Sequence, residues 1–219
     1  MKKYFAVLRK CPLFDQIADE HVLAMLSCLG AKVESFDKEY TIFAEGTPAK
    51  YMGILLTGSA QVVQVDYYGN RSILSSITVS EMFAEAFACG QVDSLPVTVI
   101  ANEPCEVMFI NSDHILHTCS NNCRFHQQLI FNLMKGLATK ALAFHQKIEI
   151  LSKRSTREKL LAYLMFFAKK SGTNHFDIPF DRQELADYLE VDRCGLSVEI
   201  SKLRREGIIE NRRKHFALL

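Results

Sequence analysis

The stretch from about Cys123 to Leu151 constrains this chain more than any other. It contains no proline and one glycine, Gly136. Within it Ile130, Met134, Leu137, Ala141, Phe144, Ile148 and Leu151 recur at spacings of 4, 3, 4, 3, 4 and 3. That alternation averages 3.5 residues and is the apolar seam of a coiled coil. The spacing predicts one continuous helix, and an apolar stripe of that length needs a surface to cover it. A second copy of the helix suits the regular 3.5 period better than the curved wall of a domain does. A homodimer is therefore expected.

On the N-terminal side the texture differs. Residues from about Phe5 to Cys28 read as short helices, with Asp19 expected as an N-cap and Val22, Leu23, Leu26 and Leu29 at helical spacing. From Lys32 to Asn111 short β-type runs follow: Lys32–Phe36, Tyr40–Phe43, Tyr51–Leu56, Ala60–Val65, Ser72–Ile77, Val97–Ala101 and Val107–Ile110. Turn signals such as Gly46-Thr47-Pro48, Thr57-Gly58-Ser59 and Gly69-Asn70 separate them. Short strands at even intervals predict a sandwich or barrel rather than a parallel α/β sheet.

Charge is distributed unevenly. From Lys153 onward there are 14 Lys and Arg against 10 Asp and Glu, whereas the first 152 residues hold 12 against 15. A basic C-terminal third points to a polyanionic partner there. The seven cysteines are an odd number, which favours reduced thiols over a disulfide framework. No apolar run approaches the roughly 18 residues of a membrane span. Arg9, Lys10 and Pro12 interrupt any signal-peptide core. A soluble, cytoplasmic protein with no membrane partner is expected.

The last third carries the most specific pattern. Asp181 followed by Glu184 forms a capping box at the start of a short helix, in which Leu185, Ala186 and Leu189 face inward. A tight link through Glu190-Val191-Asp192 leads to a second helix, Arg193 to Glu206, with Leu196, Ile200 and Leu203 inward and Gly207 at its end. Two β-type runs then flank the basic tip Asn211-Arg212-Arg213-Lys214-His215. Helix, short turn, helix and hairpin make a winged helix-turn-helix. In that motif the N-terminal half of the second helix enters the major groove of double-stranded DNA. Arg193 is placed to form a bidentate pair with guanine, and Ser197 to serve several bases or a phosphate. Arg182, Gln183, Lys202, Arg212 and Arg213 are placed for phosphates.

These motifs resemble the Crp/Fnr family of bacterial regulators over nearly the whole chain. The run Ile42 to Val62, with Gly46 and Gly58 as turn glycines, resembles the family's cyclic-nucleotide-binding fold. Tyr68-Gly69-Asn70-Arg71 and Val97–Ala101 continue the likeness, and Arg182–Ala186 with Glu206–Ile209 match its helix-turn-helix and wing. The resemblance implies an α+β protein. Its parts would be a double-stranded β-helix (jelly-roll) effector domain over 1–122, a dimerisation helix over 123–152 and a winged helix over 153–219. It also implies RNA polymerase as a partner if the protein activates transcription.

The departures from the family are specific. Its cyclic-AMP binders hold ribose and phosphate with Gly-Glu in a short helix and a following Arg-Ser. Here Met82-Phe83-Ala84-Glu85-Ala86 keeps Glu85 but puts Ala84 at the glycine, and the Arg-Ser position reads Leu95-Pro96. Burying a cyclic phosphate without a paired guanidinium is unfavourable. The effector expected beside Phe83, Ala84, Glu85, Ala86, Leu95, Pro96 and Val97 is therefore an unidentified small molecule other than cyclic AMP, apolar or aromatic in character. No cofactor is implied. The family's iron–sulfur sensors carry an N-terminal cysteine cluster, but only Cys11 and Cys28 precede the barrel here. In the second helix Cys194 and Val198 replace the family's Glu and second Arg, so its half-site sequences do not carry over.

Two alternatives stay open. Cys119, Cys123 and His126 offer three soft ligands for a metal or a thiol-based redox sensor, one short of the four a zinc site takes. A ligand-independent DNA-binding protein with a structural barrel is the other. An enzyme is not expected. No histidine lies between His21 and His114 to serve a metal-dependent barrel, and no phosphate-cradling glycine loop or nucleophile–base pair is present.

Overall fold

The computed structural model describes residues 2–116 and 124–219. Two short helices, α1 (Phe5–Leu8) and α2 (Asp19–Cys28), open the chain. Asp19 is the first helical residue rather than the expected N-cap. Ala18 holds that position, and the Asp19 carboxylate instead pairs with Arg9 at 3.0 Å.

Eight antiparallel strands follow: β1 (Lys32–Phe36), β2 (Thr41–Phe43), β3 (Tyr51–Thr57), β4 (Ala60–Val65), β5 (Arg71–Ile77), β6 (Met82–Phe83), β7 (Thr98–Ala101) and β8 (Cys105–Asn111). They form two four-stranded sheets, ordered β1-β8-β3-β6 and β2-β7-β4-β5. This is the jelly-roll implied by the family resemblance, within the sandwich or barrel class expected from the strand spacing. One strand escaped that reading. Met82 and Phe83, expected to belong to the short helix, instead pair with β3, and helix α3 (Glu85–Cys89) starts after them.

Strand β3 explains how the sheets hold together. Its apolar run is buried on both faces. Met52, Ile54 and Leu56 enter a core shared with Leu8, Phe14, Leu26, Met108 and Ile110. Leu55 points the other way, into a core between the sheets with Ile42, Phe83, Val99 and Val107. Two apolar layers on one strand leave no freedom to shift its register by one residue.

After α4 (Asp113–Leu116) comes the long helix α5 (Arg124–Leu151). Leu129 and Leu133 close the first of those cores. Buried Asn132 donates to the carbonyls of Leu13 at 3.0 Å and Asp15 at 2.7 Å, tying the N-terminal segment down. Of the predicted seam, Met134, Phe144 and Ile148 are exposed in the single chain, whereas Leu137 packs against that same core. No described helix is long and apolar enough to cross a membrane.

The remaining elements are α6 (Thr156–Ser171), β9 (His175–Asp177), α7 (Arg182–Leu189), α8 (Arg193–Arg205), β10 (Ile209–Arg212) and β11 (His215–Leu218). The three strands form a sheet ordered β10-β11-β9. Contacts divide the chain into two compact units. One takes the residues up to Gln64 with Leu74–Ala141, and the other takes Val65–Ile73 with Leu142–Leu219.

The second unit contains a buried lysine. Lys147 of α5 is 6% exposed; its ammonium donates to the Ile73 carbonyl and lies 4.4 Å from the centre of the Tyr188 ring. Burial pulls its pKa down to about 8, against the opposing pull of Glu190. The unfolded chain keeps the ordinary value of 10.5. Between those two values the unfolded chain holds a proton the folded chain has released, so this residue contributes more stability as pH rises through the window. Lys147→Met should remove that contribution. The stability of the variant relative to the parent, from urea unfolding, should be highest near pH 8 and fall toward pH 10.5. A difference that does not change with pH would refute the assignment.

Candidate nucleic-acid interface and effector site

Helix α7 begins with the expected box: Asp181 accepts from the Glu184 amide at 2.9 Å while Glu184 accepts from the Asp181 amide at 2.7 Å. It ends at Glu190, whose positive φ of 52° turns the chain sharply. Asp192 then caps α8 by accepting from the Gly195 amide at 2.6 Å. Ala186 is buried where the two helices approach, and Leu196, Ile200 and Leu203 form the inner stripe of α8. A larger side chain at Ala186 would push α8 away from α7.

This packing turns Arg193, Cys194 and Val198 outward at the N-terminal half of α8. The Ser197 hydroxyl donates to the Arg193 carbonyl at 2.9 Å, leaving its lone pairs to accept. Lys202 pairs with Glu199 at 2.6 Å, and Gln183 donates to Asp187 at 2.8 Å, both at the surface. Arg212 and Arg213 are exposed on the wing, with Arg213 at φ 55° in the turn.

Arg182 is held differently from the other cations. It is half-buried, and one guanidinium nitrogen donates to Asn211 Oδ1 of the wing at 3.0 Å. The other, Nη1, is buried and has no hydrogen-bond partner among the described residues. Burial and nearby Arg193 lower its pKa, as expected where two cations share one neighbourhood. Asn211, which the sequence reading placed only in a basic tip, thus locks this arginine against the wing. A fixed guanidinium with a spare donor beside a second cation is arranged to take an anion.

Similarity to known proteins agrees with this geometry. Residues 33–122 match the family described as cyclic nucleotide-binding domain, and residues 158–219 match the Crp-like helix-turn-helix domain. The global nitrogen regulator of Synechocystis sp. is 22% identical over 207 residues, covering 90% of each chain. The transcriptional activator protein FnrL of Cereibacter sphaeroides is 22% identical over 190 residues, covering 80% of this chain and 71% of that protein.

The chain belongs to the Crp/Fnr family of transcription regulators. Its fold matches that of the c-di-GMP-responsive global regulator CLP of Xanthomonas campestris, with a TM-score of 0.74 at 16% identity over 92% of this chain and 99% of that one.

The family's effector domain is built here around aromatic rings. Phe83 is buried, with its ring centre 5.8 Å from that of Phe43, which in turn lies 5.4 Å from Phe109. Leu95 and Val97 are also buried, whereas Pro96 and Ala86 are exposed. The turn at Gly46 and Leu95 exchange backbone bonds: the Gly46 amide donates to the Leu95 carbonyl at 2.8 Å, and the Leu95 amide to the Thr47 carbonyl at 2.8 Å. Ala84 caps α3 with φ 60°, a left-handed conformation that glycine adopts without strain.

Glu85 is buried, but its carboxylate is already engaged. Lys140 of α5 lies 2.8 Å from Oε1 and 3.0 Å from Oε2, and also donates to the Met82 carbonyl. The residue expected to face an effector therefore ties α3 to the long helix. The expectation was drawn from a local motif, and a partner 55 residues away leaves no mark on such a motif.

Of the candidate metal or redox residues, Cys119 and Cys123 lie outside the described residues. His126 is buried, with Nε2 2.6 Å from the Ile115 carbonyl. Among the described residues no group of three or more His, Cys, Asp or Glu side chains is arranged to hold a metal ion.

The aromatic packing gives a direct test. A Cβ added at Gly53 would lie 2.2 Å from Phe83 Cζ. Gly53→Ala should destabilise the protein by about 1–3 kcal/mol through overpacking. Phe83→Leu in the same chain should recover part of that loss, because a smaller side chain clears the methyl. Additive losses in urea unfolding would show that the two residues do not compete for one volume.

Proposed function

We propose that this regulator acts as a homodimeric, sequence-specific DNA-binding protein. In it Arg193 and Ser197 read bases, and Arg182, Gln183, Lys202, Arg212 and Arg213 contact phosphates. The observation that carries the reading is the outward face at the N-terminal half of α8, where Arg193, Cys194 and Val198 are exposed, with Arg212 and Arg213 exposed on the wing. Exposed cations on a helix-turn-helix and its wing are the groups that meet a DNA backbone.

The dimer seam is assigned to the outer face of α5. Met134 is 63% exposed, Phe144 44% and Ile148 66%, and Phe131 and Leu142 beside them are exposed too. Apolar side chains aligned at 3.5-residue spacing are unfavourable in water, and a twin helix covers them. Two reading helices would then face half-sites about one DNA turn apart. The proposed divisions are an effector domain to residue 122, this helix to 152 and the winged helix beyond. RNA polymerase becomes a partner if the protein activates transcription, and the cytoplasm is the assigned compartment.

The effector is proposed to be a small apolar or aromatic molecule, not cyclic AMP. The inner wall near Phe83, Leu95 and Val97 is apolar, and no guanidinium stands at Leu95-Pro96 to neutralise a buried phosphate. An occupant there would act on α3, and Glu85 would pass the displacement to α5 through Lys140. Because the ion pair depends on one side chain from each helix, this coupling is specific enough to break by mutation.

Arg193→Ala should weaken operator binding by about 1–3 kcal/mol and relax the preference at one base position. Selection of binding sites from a random duplex pool would measure both effects, and an unchanged preference would remove Arg193 from base reading. Ile148→Glu places a charge in the seam and should convert the dimer to monomer in analytical ultracentrifugation. A dimer that survives it would move the interface elsewhere.

A further inference from the structure

The outward stripe of α8 does not stop where base reading would. Arg193, Ser197 and Ser201 follow each other at four-residue spacing, with the Ser201 hydroxyl donating to the Ser197 carbonyl at 2.9 Å. Arg204 and Arg205 continue the same stripe one turn further on. There α8 and the wing enclose a groove of about 800 Å³, lined by Ser201, Arg204, Arg205, Arg212, His175 and His215 among others.

The charges in this groove are not neutralised from within. Two glutamates of α8 and its end are engaged elsewhere: Glu206 is held by both guanidinium nitrogens of Arg157 and Glu199 by Lys202. Among the described residues Arg204, Arg205 and Arg212 have no carboxylate within ion-pair distance. Glu210 is the one acidic side chain in the lining. The imidazoles of His175 and His215 stack with ring centres 6.3 Å apart on the sheet.

The length of α8 decides what meets this end. Its 13 residues extend about 20 Å, whereas the major groove is about 12 Å wide. A helix whose N-terminal half reads base edges must carry its C-terminal half out over a sugar–phosphate backbone. We infer that the groove formed by Arg204, Arg205 and Arg212 is a second phosphate-binding tract, which takes the backbone of the same duplex beyond the bases read by Arg193. This inference rests on the DNA-binding reading given above. It adds contacts that carry no base information, so they raise affinity and salt sensitivity but not sequence preference.

The test is binding of a mixed-sequence duplex, long enough for both half-sites, measured across a range of salt concentrations. Replacing Arg204 and Arg205 together with Gln should weaken binding to every duplex alike and lower the log–log salt slope by about 2, since each lost phosphate contact removes about 0.9. The inner stripe of Leu196, Ile200 and Leu203 is untouched, so the melting temperature should be unchanged. The Arg204→Lys, Arg205→Lys pair keeps the charge and should keep the slope. A Gln variant with the parental slope, or a Lys variant that loses it, overturns the groove assignment while leaving base reading by Arg193 standing. A parent chain with no salt-sensitive attraction to duplex overturns both.

Discussion

One helix has to satisfy two apolar stripes at once, and the rest of the molecule is organised around that requirement. On one side of α5, Leu129 and Leu133 seal the core beneath the N-terminal helices, and Asn132 holds two carbonyls of that segment. On the other side Met134, Phe144 and Ile148 stand in solvent. The chain alone buries only the first stripe, and the second is the face proposed above for a twin helix. Two amines of this helix, half-buried Lys140 and buried Lys147, are engaged as well. Lys140 takes the carboxylate of Glu85, and Lys147 takes a carbonyl and an aromatic face.

Electrostatics separates what the two parts of the chain can bind. In the jelly-roll Phe83, Leu95 and Val97 are buried, the Phe43 ring lies 5.8 Å from that of Phe83, and buried Glu85 is already paired with a lysine. The winged helix has the opposite character: a guanidinium nitrogen of Arg182 lacks an acceptor, and the cations along α8 and the wing outnumber the carboxylates beside them.

Legibility in the sequence followed the range of the interaction. The continuous helix α5, the capping box at Asp181 and most strand positions depend on neighbours within a few residues, and the structure has them where the spacing placed them. Asp19 missed its expected role because its carboxylate found Arg9 instead of the helix amides. The pair Met82-Phe83 became a strand because Gly53 left room for the Phe83 ring against β3, a vacancy that no local pattern announces.

By itself the sequence determined most element types, the order of the domains and the helix-turn-helix pattern, because periodicity, caps and turn residues act locally along the backbone. Tertiary structure alone decided where the charged groups would be committed. It gave Glu85 to Lys140, locked Arg182 to Asn211, placed Val65–Ile73 in the compact unit of the winged helix, and gathered Arg204, Arg205 and Arg212 around one groove. The physical reason is that the strength of a charge depends on burial and on partners dozens of residues away, and both exist only after the chain has packed.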